Sequence, residues 1–255
     1  MALLEIKGLS KNFGGLRAVD NLDLEVFSGE IVGLIGPNGA GKTTVFNLIS
    51  GFLKPSSGKV IFKGKDITNL KPHKIAEEGI ARTFQLTSLF PDMTTAENLY
   101  VAVHLQSIPS FFGSIFGSSS SCKKENELQE KAMSLMQSMR LSALKDAMAK
   151  NLPHGQQRLL SIAMAIATNP KIVLLDEPVS GMNYEETRST MNLIKKIQDR
   201  GVTVFLVEHN MRAVMEYCDR IAVLNYGNKI TEGTPKEIRE HEEVIRAYLG
   251  HEEAA

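Results

Sequence analysis

The stretch GLIGPNGAGKTTVFNLISG, residues 33–51, decides the fold. Within it Gly36-Pro37-Asn38-Gly39-Ala40-Gly41-Lys42-Thr43 fits the pattern G-x-x-x-x-G-K-[ST]. Each residue type has a mechanical reason to be there. Glycines let the backbone curl so that successive N–H groups face an anion. A helix starting near Gly41 aims its positive end at the same place. Lys42 supplies a mobile charge for terminal phosphates, Thr43 a hydroxyl for Mg²⁺, and Thr44 a further contact to a phosphate oxygen. An apolar stretch, Ile31–Ile35, precedes the loop, and an apolar helix, Val45–Ile49, follows it. That context separates a nucleotide site from an unrelated glycine turn.

Working outward, "IVGLI" (31–35), "KIVLLDE" (171–177), "TVFLVEH" (203–209) and "RIAVLN" (220–225) are short, continuous apolar runs. Strands of this kind are buried on both faces, as in a parallel sheet covered by helices. Helical stretches at 42–50, 156–168, 184–199 and 210–217 alternate with them. Residues 19–27, "VDNLDLEVF", alternate polar with apolar and read as a half-buried antiparallel strand. "GKVIFKGKDIT" (58–68) reads as a hairpin turning near Gly64 and Lys65. From Thr95 to about Ala167 the periodicity is helical, as in "AENLYVAVHL" and "ELQEKAMSLMQSM". The expected fold is therefore α/β: a P-loop NTPase core with a mostly parallel sheet, an N-terminal antiparallel β layer and an inserted helical subdomain. The expected boundaries are 1–94 and 168–255 for the core and 95–167 for the subdomain. "SIPSFFGSIFGSSSSC" (107–122) reads as a loop with a few apolar residues. Its Phe111, Phe112 and Phe116 leave open a contact with a membrane-embedded partner or lipid.

Composition narrows the function classes. Lys+Arg and Asp+Glu are 29 each, so the formal charge is zero, and a basic excess of the kind used to hold nucleic acid is missing. Cys122 and Cys218 stand far apart without metal spacing and read as two free thiols. The N-terminus lacks a signal-peptide pattern. Runs such as "VTVFLV" (202–207) are far shorter than the roughly 20 residues of a membrane helix. If the protein serves a membrane process, another chain crosses the bilayer.

Two carboxylates end one buried run. Ligands in open α/β sheets bind at such strand ends. Asp176 is suited to hold Mg²⁺ through water, and Glu177, pointing elsewhere, to polarise the water that attacks the γ-phosphate. His209 ends the next run and is placed to hydrogen-bond the γ-phosphate and steady Glu177. Gln85, after a short strand in "RTFQLTSLFPDMT", either reaches Mg²⁺ and water through its amide oxygen or faces solvent.

In this order — phosphate loop, Gln85, "NLPHGQQRLLSIAMAIATNP", "IVLLDEP", "SGMN", His209 — the motifs resemble the ATP-binding subunits of ABC transporters across nearly the whole chain. The resemblance implies that Leu152-Pro153-His154-Gly155-Gln156 is the signature segment and that Ser180 to Asn183 is the D-loop. It also implies that Phe13, in "LSKNFGG", stacks on adenine and that the Gln85 loop reports to membrane subunits. The signature departs from the usual Leu-Ser-Gly-Gly-Gln. Pro153 removes a hydroxyl that would contact phosphate, and His154 replaces a glycine. A helix starting near Gly155 still presents N–H groups and a positive end to a nucleotide held by another copy. "DEPVSGMNYEET", the tail "VIRAYLG" and the insert before the second helix of the helical region look like the ATPase of branched-chain amino acid importers.

The resemblance implies ATP and Mg²⁺ as cofactors and a dimer with itself or a related ATPase subunit. It implies transmembrane permease subunits, a substrate-binding protein reached through them, and a peripheral place on the cytoplasmic face of the membrane. No nucleic acid is expected. The alternatives are another ABC system, such as lipid or lipopolysaccharide export, or a soluble ABC-type ATPase in DNA repair or translation. A small-molecule P-loop kinase is a third class, though it would not need a signature segment.

Overall fold

A computed structural model describes residues 1–83, 89–106 and 120–249. The chain forms two compact units, Met1–Arg82 with Lys171–Ala255, and Thr83–Pro170. In the first unit, β1 (Ala2–Phe13) and β2 (Leu16–Phe27) pair antiparallel as two long arms. On β2, Leu22, Leu24 and Val26 turn inward, as their alternation predicts, and Val19 joins them across an irregularity at Asn21, whose φ is 45°. Then come β3 (Ile31–Ile35), α1 (Lys42–Ile49), β4 (Ser57–Phe62), β5 (Lys65–Asp66), α2 (Pro72–Glu78) and the short β6 (Ile80–Arg82). The β4–β5 hairpin turns through Lys63 and Gly64, both at positive φ.

The second unit is helical: α3 (Thr95–Gln106), α4 (Ser120–Ser138) and α5 (His154–Ala167), with 3₁₀ turns at Ser142–Leu144 and Ala149–Asn151. It begins at Thr83, ahead of its first helix, because the approach segment is stitched to the turns before α5. Ala149 N–H donates to the Met93 carbonyl at 2.9 Å, Lys150 N–H to Pro91 at 3.2 Å and Thr95 N–H to Ala147 at 2.9 Å. The fully buried Asn98 side chain closes the same segment, accepting from Phe90 N–H at 2.8 Å and donating to the Phe90 carbonyl at 3.1 Å. Of the expected 107–122 loop, residues 107–119 lie outside the described residues. Ser120–Cys122 correct that expectation: they open α4. Serine at a helix start is favourable, so a serine run marks a helix entry as readily as a loop.

Back in the first unit the order is β7 (Ile172–Asp176), α6 (Tyr184–Asp199), β8 (Thr203–Val207), α7 (Met211–Tyr217), β9 (Arg220–Asn225), β10 (Asn228–Gly233), α8 (Pro235–Glu240) and α9 (Glu242–Leu249). Asn183 starts α6 through a reciprocal capping box with Glu186. Two sheets result, ordered β2-β1-β4-β5 and β10-β9-β3-β8-β7-β6. The first is antiparallel; the second is parallel from β9 to β6, with β10 antiparallel at its edge. Every residue of β3, β7 and β8 is buried, the state their unbroken apolar runs foretell. Phe46 of α1 packs on Phe205 of β8, ring centroids 5.1 Å apart, and both rings are fully buried. Burying a side chain of this size contributes about 1.5–3 kcal/mol.

Register positions the site. Leu34 on β3 pairs with Val207 on β8, and Val207 pairs with Asp176 on β7. The carboxyl ends of three neighbouring parallel strands thus end level. The loops that begin at Gly36, Glu177 and Glu208 leave the sheet side by side, at the edge where open α/β folds bind ligands.

Candidate functional site

The loop after β3 is shaped by two glycines. Gly41 sits at φ 105°, and a Cβ there would lie 2.3 Å from the Ala18 carbonyl oxygen of β2. Gly36 sits at φ 152°, and a Cβ there would lie 2.1 Å from the Leu224 carbonyl oxygen of β9. Neither position tolerates a side chain, so the loop runs flush between two strands. Asn38 and Gly39 at the loop's crest are exposed, whereas Pro37 and Ala40 are buried. Gly41 caps α1 without a side-chain acceptor, which leaves the first-turn N–H groups uncapped by the protein.

Lys42 folds back into this loop. Its Nζ donates to the Gly36 carbonyl at 2.6 Å and the Pro37 carbonyl at 2.9 Å, and the residue is 6% exposed. Among the described residues no carboxylate comes within salt-bridge distance of it. Burial pulls the ammonium below the usual lysine range, and the charges of Glu177 and Asp176 pull it back up. A buried cation bonded to neutral carbonyls beside uncapped helix N–H groups suits an anion such as the polyphosphate of ATP. Thr43 is exposed and Thr44 half-buried in the first turn of α1.

Asp176, the last residue of β7, is 2% exposed. Its Oδ2 accepts from Arg82 Nη2 at 3.0 Å. Arg82 also donates through Nη1 to Asn47 Oδ1 at 2.7 Å and Ser50 Oγ at 2.8 Å, both on or at the end of α1. The guanidinium lies over the Phe46 ring, 5.6 Å from its centroid. Burial lowers the Arg82 pKa, against the hydrogen bond and charge of Asp176. One arginine therefore ties the carboxylate expected to face Mg²⁺ to the helix that carries Lys42 and Thr43. A threonine hydroxyl and a carboxylate are hard oxygen donors, which suits Mg²⁺.

Glu177 follows at φ 49°, in the left-handed region that a non-glycine residue enters only when its surroundings hold it there. Its N–H donates to the Val207 carbonyl at 2.9 Å. His209 Nε2 stands 3.2 Å from Glu177 Oε1. Between them in sequence, Glu208 is 2% exposed. Its Oε1 accepts from Val179 N–H at 2.8 Å, and its Oε2 from His209 N–H at 3.0 Å and Asn210 N–H at 3.2 Å. Burial pushes the Glu208 carboxyl up, the three N–H donors oppose that, and the charge of Glu177 adds to it.

Phe13 ends β1 and is 46% exposed, with Lys11 Nζ 5.1 Å from its ring centroid. The part-exposed ring is available for stacking, with the Lys11 ammonium over one face. Ser180 and Met182 are half-buried after Glu177, and Gly181 and Asn183 are exposed. Gln85 falls outside the described residues. In the helical unit, Leu152 is buried, Pro153 is the N-cap residue of α5, and His154 is its exposed first residue. Gly155 and Gln156 are half-buried in the same turn. Pro153 offers no side-chain cap, so this helix too presents uncapped N–H groups.

Sequence reasoning missed Arg82 and Glu208. The signal for Glu208 was a carboxylate at the end of a fully buried run, "VFLVE". The signal for Arg82 was an arginine in an apolar strand, "IAR", directly before the Gln85 segment.

Among the described residues, no helix is long and apolar enough to cross a membrane. The ABC transporter family model matches residues 19–180, and the model for branched-chain amino acid ATP-binding cassette transporters matches 228–254. The chain is 43% identical to the high-affinity branched-chain amino acid transport ATP-binding protein BraF of Pseudomonas aeruginosa, over 97% of its own length and 98% of the relative's. A solved ATP-binding cassette of an ABC transporter in its ADP conformation superposes with a TM-score of 0.85, at 32% identity, over 98% of this chain and 99% of that one. A dimeric ATP-binding cassette in a post-hydrolysis state with ADP and phosphate gives 0.76 at 26% identity, over 91% and 98%. A nucleotide loop, an acidic strand end and a facing histidine, set in a chain this similar to transport ATPases from end to end, leave one conclusion: the protein belongs to the ABC transporter family, among its branched-chain amino acid transport ATP-binding proteins.

Proposed function

We propose that this chain hydrolyses ATP to drive the import of branched-chain amino acids through separate transmembrane subunits, working as one of two ATPase chains on the cytoplasmic face of the membrane. The observation that carries the reading is the 3.2 Å approach of His209 to Glu177 at strand ends level with the phosphate loop. The end-to-end similarity to branched-chain amino acid transport ATP-binding proteins supplies the cargo class.

The residues divide the work as follows. Phe13 stacks on adenine. The backbone of Gly36 to Gly41 and the first turn of α1 receive the phosphates. Lys42 leaves its two loop carbonyls and turns to the terminal phosphates. Thr43, Asp176 and Gln85 would hold Mg²⁺, which would neutralise phosphate charge there. Glu177 orients and polarises the attacking water, and His209 holds Glu177 and the γ-phosphate in register. The α5 N-terminus of a second chain, from Leu152 to Gln156, closes over the γ-phosphate, so nucleotide is bound between two copies. Loss of the γ-phosphate removes the charge both copies grip, and the pair loosens. Phe90, Met93 and Met148 are exposed apolar side chains in the helical unit, and they offer the permease subunits a docking surface. A substrate-binding protein delivers cargo to those subunits.

Proteoliposomes carrying the complete transporter test the reading. Leucine uptake should require ATP and the binding protein, and Glu177→Gln should abolish it while leaving ATP binding and ATP-dependent dimerisation intact. Unimpaired hydrolysis by Glu177→Gln, or hydrolysis that responds to DNA or ribosomes instead of the membrane complex, would sink it.

A further inference from the structure

We infer that Glu208 is a positioning residue: its buried carboxylate sets the distance between Glu177 and His209 by gripping the backbone of both loops at once. The inference rests on the roles proposed above for those two residues. An apolar side chain would suit the end of "VFLV" better on burial alone, since an ionised carboxylate taken out of water is costly unless it is fully hydrogen-bonded. Here it is bonded in a particular way. Oε1 takes Val179 N–H, two residues after Glu177, and Oε2 takes His209 N–H and Asn210 N–H.

The consequence follows from what each bond fixes. The Glu177 loop is pinned to the end of β8 at two points, by Glu177 N–H on the Val207 carbonyl and by Val179 N–H on Glu208. Those two points bracket the residue whose backbone is held at φ 49°. On the other side, the Asn210 N–H bond seats the residue that caps α7, whose Oδ1 accepts from Ala213 N–H at 3.1 Å. His209 is thus held between the end of β8 and a capped helix, and its ring reaches Glu177 from a fixed Cα. One carboxylate clamps both ends of a 3.2 Å contact. The clamp needs two acceptor oxygens. Glutamine has one, and its amide group repels whichever N–H it meets. Aspartate has two but is a methylene too short to reach both loops.

A double-mutant cycle separates positioning from general structural support. Single-turnover ATP hydrolysis, kcat and KM would be measured for the purified full-length protein, for Glu208→Gln and Glu208→Asp, and for each of these combined with His209→Ala. The expected result for each single substitution is a kcat loss of about tenfold or more with KM for ATP within about twofold, the signature of an interaction used in the transition state. In the His209→Ala background either substitution should cost less than about twofold more, because the contact it sets is already gone. An equal loss with and without His209, an unchanged kcat, or a raised KM at constant kcat would overturn the inference. Unfolding or loss of ATP binding in both variants would assign Glu208 to the fold and overturn it too. Glu177→Gln, run alongside, distinguishes the two failures. Wild-type turnover in that variant defeats the functional reading itself, whereas a dead Glu177→Gln with an additive cycle defeats only the role of Glu208.

Discussion

Arg82 Nη2 lies 3.0 Å from Asp176 Oδ2, and both side chains are almost wholly withdrawn from water. Breaking a buried pair by removing one partner leaves the other charge uncompensated, at a cost of about 3–5 kcal/mol. Arg82→Met should therefore destabilise the protein by about that amount, read as a shift in the denaturant midpoint at constant slope. Asp176→Leu should do the same. The double variant should lose clearly less than the sum of the two, because two apolar groups need no partner. Additive losses would show that the pair is not the source of the effect.

Lys42 makes a different prediction, because its two bonds are to carbonyls that stay in place without it. Lys42→Ala should fold and lose nucleotide. One hydrogen bond to a charged group contributes about 1.5–3 kcal/mol, so ATP affinity by isothermal titration should fall roughly 10- to 150-fold. Lys42→Arg should not restore it, since a planar fork does not fit a pocket lined by two carbonyls of one turn. Wild-type affinity in the alanine variant would remove Lys42 from the phosphate site.

The loop's backbone is as demanding as its lysine. At Gly41 the conformation is left-handed and a Cβ would meet the Ala18 carbonyl oxygen at 2.3 Å. Gly41→Ala must displace either the loop or β2. ATP binding should be lost and the thermal midpoint should drop, because strained positions of this kind cost about 1–3 kcal/mol before any clash is counted. Gly39→Ala is the internal control: its φ is also positive, but nothing lies within 4 Å of the added atom, so its effect on stability should be the smaller.

These contrasts show what the sequence could and could not carry. Backbone demands are written directly into residue type, which is why the Gly36–Gly41 loop was legible. Burial on both faces is written into unbroken apolar runs, and β3, β7, β8 and β9 follow from it. β1 was not legible because Gly8, at φ 56°, breaks the alternation, and the pairing with β2 shifts register between Ile6 and Leu9. Three-residue β6 was legible only as a short strand before Gln85, since it is too short to show any period. Arg82 and Glu208 were hidden for another reason. Their meaning depends on which strand lies next to which, and the order β3-β8-β7-β6 is a property of the folded sheet that no local pattern records.

Cys218 gives a prediction in pH. Burial pushes its thiol up to about 12, with the charges of Asp219 and Glu208 adding to the shift. Its folded pKa is above its unfolded one, so the stability it contributes is complete below about pH 9 and is lost as the pH rises through about 12. The slope is at most about 1.4 kcal/mol per pH unit. At pH 8 the native thiol is neutral and enclosed. Iodoacetamide should leave the Cys218 peptide unmodified in mass-spectrometric mapping and should label it fully in guanidinium. Rapid labelling in the native protein would contradict the burial.

Pro153 offers a prediction that gains function. It caps α5 with its backbone alone: Gln156 N–H donates to its carbonyl at 2.9 Å and Gln157 N–H at 3.0 Å, and no side chain contributes. Pro153→Ser adds a capping oxygen, worth about 1 kcal/mol, and loses the proline's restriction of the unfolded chain, worth about 0.4–1 kcal/mol. The two nearly cancel, so stability should change little. The new hydroxyl should count where the helix end meets a nucleotide on a second copy. There a net hydrogen bond is worth about 0.5–1.5 kcal/mol at each of the two sites of a symmetric dimer, or roughly a 5- to 160-fold tighter dimer. Sedimentation of Glu177→Gln with ATP, with and without Pro153→Ser, measures that difference directly. If the serine leaves the dimer constant unchanged in ATP, the α5 N-terminus does not face the γ-phosphate, and the shared-site arrangement proposed for this chain loses its geometric basis.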